Sequence, residues 1–433
     1  MILEIAIRNF RSIRGEQVLS FCTTDARGGN LGNVATLPGA SCFVAKSIAL
    51  YGANGSGKTN ALRAIWTLNK LVGSSYKLGE GDDIPWYDPC IFCNDADSAG
   101  CRLEIEFTVP IDAVEARFLY KIEFDSHEII YEALSSFAKG REAVLFVRNK
   151  GEDKDGISFG ASMRGGERKT AFFKNQAYLS VAGRNPAAPA FIRSIYRYFK
   201  HNMTQIRLKQ FTHVMYNPRS VESQQLIRFV DLGITNMTVR KTDVDESSIQ
   251  FPSDMPTVLR EKFLDRISSR YYFRHVAANG TSGEIELAEE SDGTQRLFQL
   301  LPNIVETLVR GGIYIIDEIE SGMHPFMAEA IVKLFNDASI NHGQAQLIFS
   351  THNSNLLSPN LMRRDQIWFA EKVDGCSRFY SLDDFDKKMV TPSSPFAKWY
   401  LQGRFGAVPA IDYAGLVGAI KAIQTRSPED AEA

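Results

Sequence analysis

The sequence predicts an α/β protein in which a mixed central sheet lies beside an antiparallel β-meander, with a mainly helical module inserted between its two halves. Three observations carry this. Residues 43–50 contain an apolar run with Ile48, Ala49 and Leu50 that leads into Tyr51-Gly52-Ala53-Asn54-Gly55-Ser56-Gly57-Lys58-Thr59-Asn60, and residues 61–72 then carry Leu62, Ile65, Trp66, Leu68 and Val72 at mostly helical spacing. Strand, glycine-rich turn and helix follow one another. Two further apolar runs, 312–316 and 346–349, stop abruptly at Asp317-Glu318 and shortly before His352, as strands buried on both faces of a parallel sheet do. Finally, residues 102–109 (RLEIEFTV), 118–124 (FLYKIEF) and 128–134 alternate with period two, the pattern of a meander.

In chain order, residues 3–7 read as an edge strand that turns through Asn9-Phe10-Arg11-Ser12-Ile13, with 18–21 returning as its hairpin partner. After the first helix, 73–97 is rich in Gly, Asp, Pro and Ser and reads as a loop. Residues 143–148 add a strand, and 149–168 is polar and glycine-rich. From 185 to 270 the pattern is mainly helical, broken by a strand at 236–241; 271–277 and 284–287 return to strand. The expected division is an N-terminal lobe (1–148), an inserted module (149–270), a C-terminal lobe (271–410) and a tail (411–433). No internal repeat or sustained heptad pattern argues for a solenoid or a coiled-coil arm.

The chain has 433 residues, 44% hydrophobic and 23% charged, with net charge −2, so it reads as globular and carries no global basic field for nucleic acid. A local basic stretch, Arg193, Arg197, Lys200, Arg207 and Lys209, is interleaved with Phe191, Ile195, Tyr196, Tyr198 and Phe199 and reads as an amphipathic helix with a solvated face. No apolar run approaches the ~18 residues of a membrane span, and the opening Met1-Ile2-Leu3-Glu4-Ile5 is unlike a signal peptide. A cytoplasmic location is expected. Cys90-x-x-Cys93 with Cys101 invites a zinc reading, but a fourth ligand is missing, which favours reduced, packing cysteines.

The glycine run fits G-x-x-x-x-G-K-[ST]. Gly52, Asn54, Gly55, Ser56 and Gly57 would turn backbone N–H groups around a polyphosphate, Lys58 would neutralise its β- and γ-phosphates, Thr59 would bind Mg²⁺, and Asn60 would flank the cradle. Asp317 would hold the Mg²⁺ shell, Glu318 would polarise an attacking water, and His352 could sense the γ-phosphate. Upstream of the acidic strand, Ser291-Asp292-Gly293-Thr294-Gln295 opens an apolar-periodic helix. It reads either as an ordinary capped helix or as a second anion site that serves a neighbour's nucleotide.

Taken together and in this order, these motifs resemble the ATP-binding-cassette type of ATPase head found in chromosome-maintenance proteins, the RecF repair protein and overcoming-lysogenisation-defect proteins. The resemblance implies that Ser291, Gly293 and Gln295 form the signature that completes the partner subunit's γ-phosphate site in a head-to-tail dimer. It also implies that Asp317 and Glu318 are the Walker B pair, that Glu320-Ser321-Gly322-Met323-His324-Pro325 is a dimer-contact loop and that His352 is the switch histidine. The closing Lys398-Trp-Tyr-Leu-Gln-Gly-Arg-Phe-Gly-Ala-Val-Pro409 is similar to a compact subgroup of bacterial AAA-type ATPases, which includes the ATPase halves of abortive-infection and restriction-linked defence pairs. The glutamine that links Mg²⁺ to the rest of the sheet has no clear position, with Gln176 a weak match.

The resemblance implies an ATP- and Mg²⁺-dependent ATPase, with catalytic Glu318, His352 and Lys58 and metal-binding Thr59 and Asp317, working as a homodimer or higher oligomer through an ATP sandwich. Arg8 or Arg11 is either a base or phosphate contact or a solvated side chain. Asp383, Asp384 and Asp386 read as helix-capping residues, leaving no nuclease constellation. A separate nuclease or toxin effector, encoded nearby, is therefore expected, with antiphage defence as its setting. The alternative is a DNA-binding clamp of the RecF kind.

Overall fold

The computed structural model describes residues 1–23, 30–37, 42–92, 100–112, 114–138, 140–151, 156–203, 205–207, 226–230, 233–245, 249, 251, 255, 257–277 and 279–424. Its centre is a six-stranded sheet of β12 (Gln205–Arg207), β16 (Ile313–Ile316), β17 (Gln346–Ser350), β6 (Ser47–Tyr51), β18 (Ile367–Val373) and β19 (Cys376–Ser381), in that spatial order. All neighbours are parallel except the β18–β19 hairpin, so the sheet is mixed, as expected. Its middle strands are buried end to end. The strand period of two divides them between two cores: Ile48, Leu50, Ile313, Ile315 and Ile348 face one, and Ala49, Tyr51, Tyr314, Ile316 and Phe349 the other.

On the first face lies helix α1 (Lys58–Ser74), which buries Ala61, Leu62, Ile65, Leu68, Leu71 and Val72 along one stripe. Each large apolar side chain contributes about 1.5–3 kcal/mol by leaving water. The same core takes in the second sheet, the seven-stranded antiparallel β11 (Ile157–Phe159), β10 (Arg141–Asn149), β9 (Ile129–Ala138), β8 (Val114–Phe124), β7 (Cys101–Ile111), β1 (Ile2–Arg8) and β2 (Gln17–Ser20). The expected meander is thus present, with one correction. β1 is no edge strand, because it is paired on both sides, by β7 and β2. Its Ile2, Leu3, Ile5 and Ile7 are almost wholly buried, and the Gln346 side chain exchanges two hydrogen bonds with the Ile2 backbone (2.6 and 3.0 Å), stitching the two sheets together.

The stretch 149–270, read from sequence as an inserted and mainly helical module, is built into both cores. Helices α2 (Tyr178–Ala182) and α3 (Ala190–Arg197) and the π-turn Tyr198–Asn202 bury Tyr178, Ile192, Ile195 and Phe199 beside α1 and the meander. β12 pairs with β16 and so extends the central sheet. Further on, α4 (Thr257–Ile267) joins the first two strands of a small antiparallel sheet made of β13 (Ile234–Lys241), β14 (Ser269–Val276) and β15 (Ser282–Glu286). Phe273 of this sheet meets Phe298 of helix α5 (Asp292–Arg310) edge-on at 5.5 Å. A further small sheet joins β3 (Cys22–Thr23), β5 (Phe43–Ala45) and β4 (Val34–Thr36). Helices α5 and α6 (Pro325–Asn336) cover the second face of the central sheet.

Helix α7 (Phe396–Leu401) anchors the closing segment through Phe396 and Tyr400, whereas α8 (Tyr413–Gln424) has no buried residue. Of the candidate zinc group, Cys93 lies outside the described residues, Cys90 and Cys101 are buried, and among the described residues no group of three metal-ligating side chains occurs. Asp383 and Asp384 belong to a capped 3₁₀ turn with Ser381. Among the described residues no helix is long and apolar enough to cross a membrane.

Candidate nucleotide site

Because β16, β17 and β6 are adjacent and parallel, their C-terminal ends emerge along one edge of the sheet, where ligands of such sheets sit. β6 runs into the glycine loop, β16 into Asp317 and Glu318, and β17 into Thr351 and His352. Three stretches far apart in sequence therefore meet at one place.

The loop has its shape for local reasons. Gly57 adopts φ +108°, and a Cβ there would lie 2.0 Å from Ser377 Oγ and 3.0 Å from Ser12 Oγ; one on Gly52 would lie 2.4 Å from the Ala370 carbonyl oxygen. Only glycine fits both positions. No side chain caps α1 and its first turn holds no acidic residue, so the positive end of the helix is left to an anion. Ser56 Oγ is buried in the loop without a hydrogen-bond partner among the described residues. This set of donors fits a polyphosphate.

Lys58 is 6% exposed, and its Nζ donates to the carbonyls of Gly52 (2.8 Å) and Ala53 (3.1 Å). Burial lowers its pKa to about 8, opposed by Asp317, Glu318 and Glu320. Thr59 Oγ1 donates to Asp317 Oδ2 at 2.9 Å, so the two expected Mg²⁺ ligands meet. A hydroxyl beside a carboxylate is the hard-oxygen donor set that Mg²⁺ takes.

Ser350, the last residue of β17 and fully buried, binds both members of the acidic pair: its Oγ donates to Asp317 Oδ1 (2.5 Å) and accepts from the Glu318 N–H (2.8 Å). Glu318 sits at φ +50°, a strained conformation for a residue with a Cβ and one common at functional sites. Glu320 accepts from Thr351 Oγ1 (2.7 Å) and the His352 N–H (2.5 Å), tying the loop after β16 to the histidine. Burial, then Lys58, lower the pKa of His352 below its ordinary 6.5, so its imidazole is neutral at pH 7.

A second wall closes the loop. Ser377 Oγ donates to the Ser56 carbonyl (2.6 Å) and lies 2.6 Å from Ser12 Oγ; Asn60 Nδ2 donates to the same Ser12 oxygen (2.6 Å). Arg11 donates to Asn60 Oδ1 (2.8 Å) and pairs with Asp88 (2.5 Å). Arg11 therefore braces the loop through Asn60, while Arg8 is exposed at the end of β1. Gln176 is consumed elsewhere, donating to the carbonyls of Tyr76 and Leu78 and accepting from the Phe173 N–H.

Ser291 caps α5, accepting from the Thr294 N–H at 3.2 Å, and Gln295 Nε2 donates to the Glu290 carbonyl at 2.8 Å. A Cβ on Gly293 would lie 3.0 Å from the Gly322 carbonyl oxygen, so this turn packs against the loop 320–325. Among the described residues, no hydrogen bond joins Ser291, Gly293 or Gln295 to the glycine loop of the same chain.

Sequence reasoning missed Ser350, Ser377, Ser12 and Asp88, and Glu320 as the anchor of His352. The first of these lies beside Asp317 only because the register sets Ile316 opposite Phe349.

The loop, the paired Thr59 and Asp317, and the parallel strands behind them define a P-loop ATPase fold of the AAA/ABC type. The chain belongs to the family described as "AAA domain, putative AbiEii toxin, Type IV TA system", which matches residues 47–358. Among solved structures it is similar to the SMC head domain from Thermotoga maritima, at 14% identity and a TM-score of 0.40, over 88% of this chain and 98% of that one. No curated protein matches it.

Proposed function

We propose that this chain hydrolyses ATP between two copies of itself set head to tail, and that closing and opening of the pair controls a separate effector in a bacterial antiphage defence system. The observation that carries the reading is the convergence of Lys58, Thr59, Asp317, Glu318 and His352 at the ends of three adjacent strands. Gly52, Asn54, Gly55, Ser56 and Gly57 cradle the phosphates, and Lys58 leaves the loop carbonyls to neutralise them. Thr59 and Asp317 would hold Mg²⁺, which supplies charge neutralisation at the β- and γ-phosphates.

Glu318 orients water in line with the γ-phosphorus and accepts its proton as the new P–O bond forms and the bond to the bridging oxygen breaks, releasing ADP and phosphate. The neutral His352 donates to a γ-phosphate oxygen, and through Glu320 its position is coupled to the loop 320–325. Ser291, Gly293 and Gln295 of the partner subunit complete the site, so the pair closes when ATP is bound and is released by hydrolysis. Residues 1–148 and 271–410 supply these groups. The family's description names a "putative AbiEii toxin" and a "Type IV TA system" beside the AAA domain, which supports a partnered defence role.

Two experiments test this. Glu318→Gln is expected to bind ATP without turnover and to accumulate dimer; persistent turnover sinks the mechanism. Phage plating on bacteria that carry this chain alone, with its neighbouring reading frame, or with that frame and Lys58→Ala, is expected to show protection that needs both proteins and Lys58. If no combination protects, and ATP-dependent binding to duplex DNA falls steeply with salt, a DNA clamp is the better reading.

A further inference from the structure

We propose that a cavity at the opposite end of the central sheet from the glycine loop binds a small phosphorylated anion, and that its occupation changes turnover at the candidate ATP site. The cavity holds about 530 Å³, within the roughly 300–1,000 Å³ of small-molecule sites. It opens where the parallel strands begin: Gly312 and Ile313 enter β16, and Gly343 and Gln344 precede β17.

Its chemistry is cationic. Arg197, Arg310 and His342, from three separate elements, line it and are exposed, against one lining carboxylate, Glu115. Arg197 forms no ion pair among the described residues. Arg310 is held by Glu306 one turn back at 2.7 Å yet is 67% exposed. Two guanidinium forks facing one cavity suit a phosphate, which they can grip in bidentate fashion, and Glu115 can accept from a ligand hydroxyl or amine.

Local backbone geometry supports a binding role independently. The wall that follows Arg197 is the π-turn Tyr198–Asn202, a rare helix form concentrated at functional sites. It seats the Tyr198 ring flat on Phe107, centroids 5.5 Å apart at 13°, and leaves the buried Tyr198 hydroxyl without a hydrogen-bond partner among the described residues. Asn202 Nδ2 donates to the Gly311 carbonyl at 2.8 Å, so the turn is fastened to the end of α5.

The position gives the cavity leverage. Arg310 ends α5, whose N-cap Ser291 lies 19 residues and about 28 Å away and whose first turns carry Gly293 and Gln295. β16 runs from the cavity to Asp317, and β17 to Ser350 and His352. A ligand that draws Arg197 and Arg310 together loads the far ends of all three elements. Binding at the cavity stands apart from the ATPase reading; only its effect on turnover rests on it.

The test is calorimetric titration of inorganic pyrophosphate, with EDTA present, into the wild-type chain, Lys58→Ala, the pair Arg197→Ala with Arg310→Ala, and all three changes together. Lys58→Ala is expected to retain one site per chain, weakened at least about tenfold when both arginines are also removed. Absence of binding to Lys58→Ala, or a smaller loss in the triple variant, overturns the site. Both arginines are exposed, and melting curves that overlay the wild type verify folding. For coupling, pyrophosphate is expected to lower kcat in the wild type but only to raise KM in the arginine pair; identical inhibition of the two overturns the regulatory half.

Discussion

Replacing Ser350 with alanine deletes a single oxygen that touches both carboxylate-bearing residues of the candidate site. Its bond to Asp317 Oδ1 and the bond it receives from the Glu318 N–H span 2.5 and 2.8 Å. The first involves a charged acceptor and is worth about 1.5–3 kcal/mol, the second about 0.5–1.5 kcal/mol. Ser350 is fully buried, and the one-atom gap is too small for a water to replace the oxygen. Asp317 would keep Thr59, whose hydroxyl reaches both carboxylate oxygens (2.9 and 3.1 Å), but lose its shorter bond from Ser350, and Glu318 would lose a restraint on its strained backbone. Loss of such an outer partner lowers metal affinity or activity by about 10–100-fold. Steady-state ATPase assays across a Mg²⁺ titration are expected to show the half-saturating Mg²⁺ raised by about that factor, with kcat reduced. A folded variant whose Mg²⁺ dependence and kcat both stay within about twofold of the wild type would refute the positioning argument.

Other outcomes follow from the same geometry. Mixing Lys58→Ala with Ser291→Arg subunits, each inactive alone, is expected to restore part of the ATPase rate, because the mixed dimer has one site with its own Lys58 and the partner's Ser291; no restoration at any ratio argues against a head-to-tail sandwich. His352 has a folded-state pKa below 6.5, lowered by burial and Lys58. The stability it contributes is therefore present above pH 6.5 and lost as pH falls through the folded value. Correspondingly, the acid limb of kcat/KM, which reports the free enzyme, is expected below pH 6.5 and absent in His352→Gln. Glu132, fully buried, accepts from Tyr120 Oη and from the N–H groups of Tyr178 and Leu179 beside Arg148. Glu132→Ala is expected to cost about 3–5 kcal/mol, since it strands a buried guanidinium, measured by denaturant unfolding; a loss below ~1 kcal/mol contradicts the network.

The glycine loop was legible because the demands on it are local: glycines where a Cβ cannot fit, a lysine at the start of a helix, and an apolar strand before them. The same holds for the capped helix start at Ser291-Asp292, which side-chain chemistry announces at short range, with Ser291 the residue that accepts from the Thr294 N–H. The brace around the loop was not legible. Ser12, Asn60 and Ser377 form one hydrogen-bonded chain, yet they come from the turn after β1, from α1 and from β19. Serines of this kind are common on any surface, and nothing in their neighbours marks them. β1 was misread as an edge strand because period-two alternation states that a strand has a buried face, not how many neighbours it pairs with.

What the sequence alone determined is thus the chemistry and the local conformation of the site: which residues can cradle phosphate, where the acidic pair and the histidine end their strands, and which stripe of α1 is buried. The tertiary structure decided the rest. Parallel strands pair across long separations in the chain, and their order and register are selected by the packing of two cores against both faces of one sheet. That register brings Ser350 to Asp317, moves β12 into the central sheet, and opens the cavity beneath Arg197 and Arg310, none of which any single stretch of residues encodes.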